Sequence, residues 1–214
     1  MPAPPQFQNS AAPAGAAFAP GLVARVTNIL TKPQQEWGVI AGESTSTAAL
    51  YTGYIVILSA IPAVMAFIQM SLIGIGMFRV GIATALVAMI VSYVLGLGGV
   101  FLAALVIDKL APTFQSQSNM LQALKLVAYA STAAWVAGVF NILPIIGVLG
   151  VLAGSLYSIY LFYLGLPVMM KTPPDKVIVY MIVSAVVIFV IYMVISFIAG
   201  SITAAQYFSS RVIG

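Results

Sequence analysis

Three tyrosines, Tyr157, Tyr160 and Tyr163, recur every third residue in SLYSIYLFYLGL. On a helix that spacing sets the rings along one side, and each phenolic hydroxyl asks for a hydrogen-bond partner. Ser155, Ser158, Ser131, Thr132 and Asn141 carry groups able to answer some of them. The chemistry on offer is a polar path, a groove for lipid headgroups, or interhelical hydrogen bonding. The last is the default, at about 1 kcal/mol or less per contact. Of the four acids, Glu36 and Glu43 stand seven apart and share a helix face for a cation or partner, with solvated side chains as the plainer reading. Asp108 beside Lys109 reads as an interfacial stop signal, with a gating pair as the rival. Lys125 lies a turn or two inside an apolar run and is expected to snorkel to the headgroups. Arg79 reads as an interface anchor.

Cysteine and histidine are both absent. Thiolate nucleophiles, disulfides, Cys/His metal sites and Ser-His or Cys-His pairs are therefore excluded, and no catalytic residue, metal or cofactor is expected. GIGMFRVG fails the dinucleotide-binding glycine spacing and has no strand context. Eight basic residues scattered singly form no stripe for nucleic acid.

What must position these groups follows from composition. The chain has 214 residues, 62% hydrophobic and 6% charged, against about 25% charged in soluble domains. Its solvent is lipid. A helical crossing takes about 20 apolar residues, and five stretches qualify: roughly 49–73, 81–107, 121–143, 145–169 and 177–204. The third and fourth run together without an ionisable group from Ala128 to Leu166, too long for one crossing. Pro144, with Gly147 close behind, forces a tight hairpin near Asn141. Small residues mark close helix approaches: Gly150 and Gly154 form a GxxxG, and Gly96, Gly98 and Gly99 cluster in the second span. Intramolecular packing is the default reading and a homo-oligomer seam its rival.

Five spans place Arg25, Lys32, Lys109, Lys125, Lys171 and Lys176 on one face, with Arg79 and Arg211 opposite. Six against two predicts a cytoplasmic N-terminus and a C-terminus on the other side. MKTPPDK then reads as a cytoplasmic loop. Residues 1–20, rich in Ala and Pro without a basic or continuous apolar region, are expected to be a disordered tail rather than a signal peptide. Residues 21–48 form a headpiece in which Leu22, Val23, Val26, Ile29 and Leu30 recur at helical spacing, with Arg25, Asn28 and Lys32 left for the other side. A short helix in the headgroup plane, ended by Pro33 and anchored by Trp37, is expected. Packing of that segment on its own bundle is the alternative. The fold class is an all-α integral membrane protein, five transmembrane helices (49–208) preceded by a short amphipathic interfacial helix.

LAPTFQSQSNMLQALKLVAYAST followed by NILPIIGVLGVLAGSLYSIYLFYLGLPVMMKTPPDK resembles the Yip1 domain family, five-span proteins with a cytosolic N-terminal region. LTKPQQEWGVIAGE is similar to the segment ahead of the first span in bacterial members. The strongest part is the Tyr129 region followed by Leu143-Pro144 and the Tyr157, Tyr160, Tyr163, Gly165 series. Where the family often carries a proline soon after the Ser-Thr, this chain has Ala133 and Ala134, which removes the usual cause of a kink. The resemblance implies non-enzymatic membrane work. Eukaryotic relatives associate with Rab GTPases in vesicle traffic; the short head here looks like the bacterial branch, so Rab binding is not carried over and a bacterial inner membrane is the implied location.

Two functions follow. A scaffold or adaptor would offer Leu22, Val26, Ile29 and Trp37 to a cytosolic or membrane partner, or perturb the bilayer. A homo-oligomeric channel or small-solute transporter would use the hydroxyl-bearing residues, against the lack of intramembrane charge and of an internal repeat.

Overall fold

The computed structural model describes the backbone of residues 21–74, 79–143 and 146–212, and their side chains except those of Ile146 and 202–212. The Ala/Pro-rich tail and Pro144 lie outside the described residues. Among the described residues, five helices are long and apolar enough to cross a bilayer: Thr47–Ile73, Ile82–Phe114, Met120–Ile142, Gly147–Met169 and Val177–Ser201. They are called the first to fifth spans below. Ahead of them lie two short helices, α1 (Leu22–Thr31) and α2 (Pro33–Gly42).

The third span is the axis of the bundle. Its most apolar window is 67% buried, against 11–28% for the other four. It is also the least apolar of the five, with mean hydropathy 1.4 against 2.9 for the fifth span. In lipid this inversion has a cause. A helix facing hydrocarbon needs apolar side chains around most of its surface, whereas a helix enclosed by others needs small ones that let backbones approach. The Ala-rich run through AYASTAAWVAG supplies them.

Close approaches fix the neighbours. Pro62, inside the first span, seats on Gly138, where a Cβ would come 2.6 Å from the proline Cβ. Gly150 faces the Phe140 ring and Gly154 faces Ala133 and Ala137, so this GxxxG packs the fourth span onto the third. A Cβ at Gly99 would come 3.1 Å from the Tyr192 ring of the fifth span, while Gly96 and Gly98 face open space.

The third span is interrupted without a proline. One helix ends at Ala130, the next starts at Thr132, and the Ala134 amide donates to Ser158 Oγ at 2.9 Å. The Thr132 hydroxyl reaches back to the Tyr129 carbonyl at 2.7 Å. Hydroxyls thus compensate a break in the ladder that the sequence left without its usual residue.

The two loops between spans two and three and between spans four and five are stitched together. Gln117 N–H donates to the Met170 carbonyl at 2.7 Å, and Ser116 Oγ to Thr172 Oγ1 at 2.9 Å. Tyr180 stacks on Phe114 with centroids 4.6 Å apart and donates to the Ile107 carbonyl. Asp108 is buried and accepts from Ser118 Oγ at 2.7 Å, closing the end of the second span, while Lys109 stays exposed.

Candidate functional site

Pro33 both stops α1 and opens α2. Its missing N–H costs nothing at a helix start, and Lys32 bridges the two helices in a non-helical conformation, φ -137° and ψ 52°. The result is a helical hairpin instead of the single headpiece helix expected. Helix α1 buries Arg25 and Ile29, four residues apart, and turns Val23 outward. Helix α2 buries Glu36, Trp37 and Ile40.

Arg25 is the hub. Its Nη1 donates to Glu36 Oε1 and its Nη2 to Glu43 Oε1, two carboxylates spaced so that one guanidinium reaches both. The guanidinium carbon lies 5.6 Å from the centre of the Tyr129 ring, a cation–π distance. Burial by itself would lower the pKa of Arg25, but the bond to Glu43 and the charges of Glu43 and Glu36 outweigh it and hold the group above its ordinary range. The expectation that Arg25 would face away from the bundle, and that Glu36 and Glu43 would be solvated, is overturned. Arg25 is 2% and Glu36 6% exposed, because the three charges satisfy one another.

Lys125 does not snorkel. It is 2% exposed, and its Nζ donates to the carbonyls of Ile40 at 2.9 Å and Glu43 at 2.6 Å. Gln122, one turn earlier, donates Nε2 to the Ala41 carbonyl at 3.2 Å. The last carbonyls of any helix lack intrahelical donors and carry the negative end of its dipole. Lys125 takes those of α2 as its partners. Helix α1 is capped likewise: Tyr157 Oη donates to the Leu30 carbonyl at 2.7 Å. Both hairpin helices therefore have a C-terminal end held by side chains from the spans, and the charges balance, Arg25 and Lys125 against Glu36 and Glu43.

Trp37 is fully buried rather than standing at the water–lipid boundary. Its ring fills the notch at Gly165, where a Cβ would lie 2.6 Å from it and 2.7 Å from Leu126. It meets the Tyr129 ring edge-on at 6.4 Å, and Tyr54 packs on the other flank of Tyr129 at 4.6 Å. Tyr54 Oη and Thr132 Oγ1 are 2.6 Å apart. Replacing Gly165 with leucine is expected to cost about 1–3 kcal/mol through overpacking. A lower melting temperature in detergent and faster hydrogen exchange over 22–43 would register it.

The residues singled out from sequence thus divide. Tyr129, Thr132, Tyr157, Gly165, Ile29 and Trp37 come together around the hairpin. Leu22 and Val26 are half-buried against the same cluster. Tyr160 and Tyr163 are 43% exposed, so the tyrosine stripe does not act as one surface. Asn141 lies across from the Pro62 carbonyl at 3.5 Å, and Ser131 sits at the helix break. What the sequence reading missed is that Arg25, Glu36, Glu43 and Lys125 form one unit. The seven-residue spacing of the two glutamates was the visible signal. Such a saturated, neutral cluster is suited to holding an element in place.

No match to a curated protein or to a solved structure was found. The family model for the Yip1 domain matches residues 27–197, from within α1 to the fifth span. The match takes in the second half of α1, all of α2 and the residues that cap them, and it covers well over half of the sequence: this chain belongs to the Yip1 domain family.

Proposed function

We propose that the chain is a non-enzymatic membrane scaffold whose N-terminal hairpin and two stitched loops form one rigid docking face in the cytosol. The observation that carries this reading is the use of Arg25, Glu36 and Glu43 to tie α1 to α2, with Arg25 over the Tyr129 ring, and of Lys125 to bind the end of α2 to the bundle. Intramembrane charge in a carrier serves a substrate path, whereas here four charges are spent on each other and on helix ends. The bias of basic residues, six against two, supports the cytosolic assignment of that face. Three hydroxyls of a supposed conduit are engaged, Tyr157 with Leu30, Thr132 with Tyr54 and Ser158 with Ala134.

The surface offered to a partner carries Val23 and Val39, 78% and 50% exposed, whereas Ile29 belongs to the core. Converting Val23 and Val39 to aspartate is expected to abolish co-purification of a soluble partner in detergent, with the melting temperature unchanged. Retention of the partner by that variant removes the hairpin from the interface. Solute flux in pure liposomes that falls in Tyr157→Phe would replace the scaffold by a conduit.

A further inference from the structure

The fourth and fifth spans, although joined by a short loop, diverge. The fifth packs chiefly along the second span, and the fourth on the third. Between them opens a cavity of about 510 Å³, floored by Ala130 and Ser131 at the break in the third span and walled by Phe162 and Phe189. We propose that this groove is a binding site for one acyl chain of a membrane phospholipid, whose phosphate sits at the loop lysines Lys171 and Lys176.

Water does not suit the space. The side-chain polar groups lining it are the hydroxyls of Ser131, Ser158 and Tyr192, and that of Ser158 is taken by the Ala134 amide. An ordered water needs two to four polar partners, so those hydroxyls cannot hydrate 510 Å³. An empty groove would forfeit dispersion along its whole lining. A second copy of the chain does not suit it either, because a helix with its side chains is about 10–12 Å across, too thick for a slot of this volume and length.

A single hydrocarbon chain does. A cavity of about 150 Å³ holds a benzene, so the groove has room for roughly twenty carbons. On the fifth span it extends from Met181 to Tyr192, about 16 Å of helix rise and half of the roughly 30 Å hydrocarbon core, which is the depth of one leaflet. Its Met181 end lies just past the loop that carries Lys171, which is exposed, and Lys176. Lys109 projects from the end of the second span, six residues beyond the Ala103 that lines the groove. Two aspartates share this region: Asp175 pairs with Lys176 at 3.3 Å and Asp108 with Lys109 at 3.8 Å. The exposed Asp175–Lys176 pair is weak, and Lys109 keeps its own side chain exposed beside the buried Asp108, so the lysines stay able to meet a phosphate, as basic sites between spans do for anionic headgroups.

The test is photo-crosslinking of the full chain in nanodiscs with a phosphatidylglycerol bearing a diazirine near the middle of one acyl chain, read by peptide mass spectrometry. Adducts should concentrate at Phe162, Ala185 and Phe189 over the exposed outer residues Val148 and Leu152, by fivefold or more. Ala185→Trp and Ile159→Trp, which fill the groove from opposite walls, should each abolish that enrichment, while Val148→Trp should not. Mass spectrometry from mild detergent should find one phospholipid retained per wild-type chain and at least tenfold less in the filled variants. Lys171→Ala with Lys176→Ala should weaken retention at least threefold. Adducts spread evenly over the fourth and fifth spans in the wild type would overturn the proposal, independently of whether any variant folds. So would undiminished retention in both filled variants. Retention insensitive to the lysine changes would overturn the headgroup assignment.

Discussion

Replacing Arg25 by methionine is expected to destabilise the protein by about 3–5 kcal/mol, because it leaves buried carboxylates without a counter-charge. Glu36 is 6% exposed, and the Tyr129 ring face would be left against the new side chain. The loss should be local in origin: hydrogen exchange over 22–43 should accelerate before the spans respond. The informative companion is the triple change Arg25→Met, Glu36→Gln, Glu43→Gln. If the ion cluster positions the hairpin without itself being a large net source of stability, removing all three charges should recover most of the loss, since a buried pair replaced whole is often close to neutral. A thermal shift in detergent for the single variant no larger than that of an exposed control such as Lys109→Met would refute the role given to Arg25.

How much of this was legible in the sequence depends on what each residue answers to. The five spans were readable because hydrocarbon imposes one requirement, uninterrupted apolar helix, and the sequence either meets it over about 20 residues or does not. The turn near Asn141 was readable for the same reason. The hairpin was not. PQQEWGVIAG has little periodicity, a glycine at its middle and its large apolar side chains confined to Trp37, Val39 and Ile40, yet Pro33 at the first position and Glu36 in the first turn are ordinary helix-start signals. The break at Ser131 went the other way. The proline that usually causes it is absent, and its effect is reproduced by Thr132 and by Ser158 on another span, a partner 24 residues from the Ala134 amide. Arg25, Glu36 and Lys125 looked like surface charges because each was judged against water or headgroups. The partners of Arg25 and Glu36 are each other and Glu43, and that of Lys125 is the end of α2, which come together only once the chain is folded.

The same logic makes Lys125 the sharper test of how the hairpin is held. Lys125→Met keeps the length of the side chain and removes two charge-assisted bonds, each of about 1.5–3 kcal/mol for a charged donor. It also leaves the carbonyls of Ile40 and Glu43 unpaired at the end of α2 and the cluster with one negative charge in excess. A loss of about 3 kcal/mol is expected, concentrated in the exchange rates of α2. Lys125→Arg should recover little, since a guanidinium is bulkier than the 2% exposed site admits. Because Arg25 and Lys125 anchor one element, the double variant Arg25→Met, Lys125→Met should lose less than the two single losses added together: a hairpin already detached cannot be detached again. If Lys125 simply reached for the headgroups, Lys125→Met would fall within about 0.5 kcal/mol of wild type, as surface substitutions do. Full additivity with Arg25→Met would show that the two charges act on separate parts of the bundle.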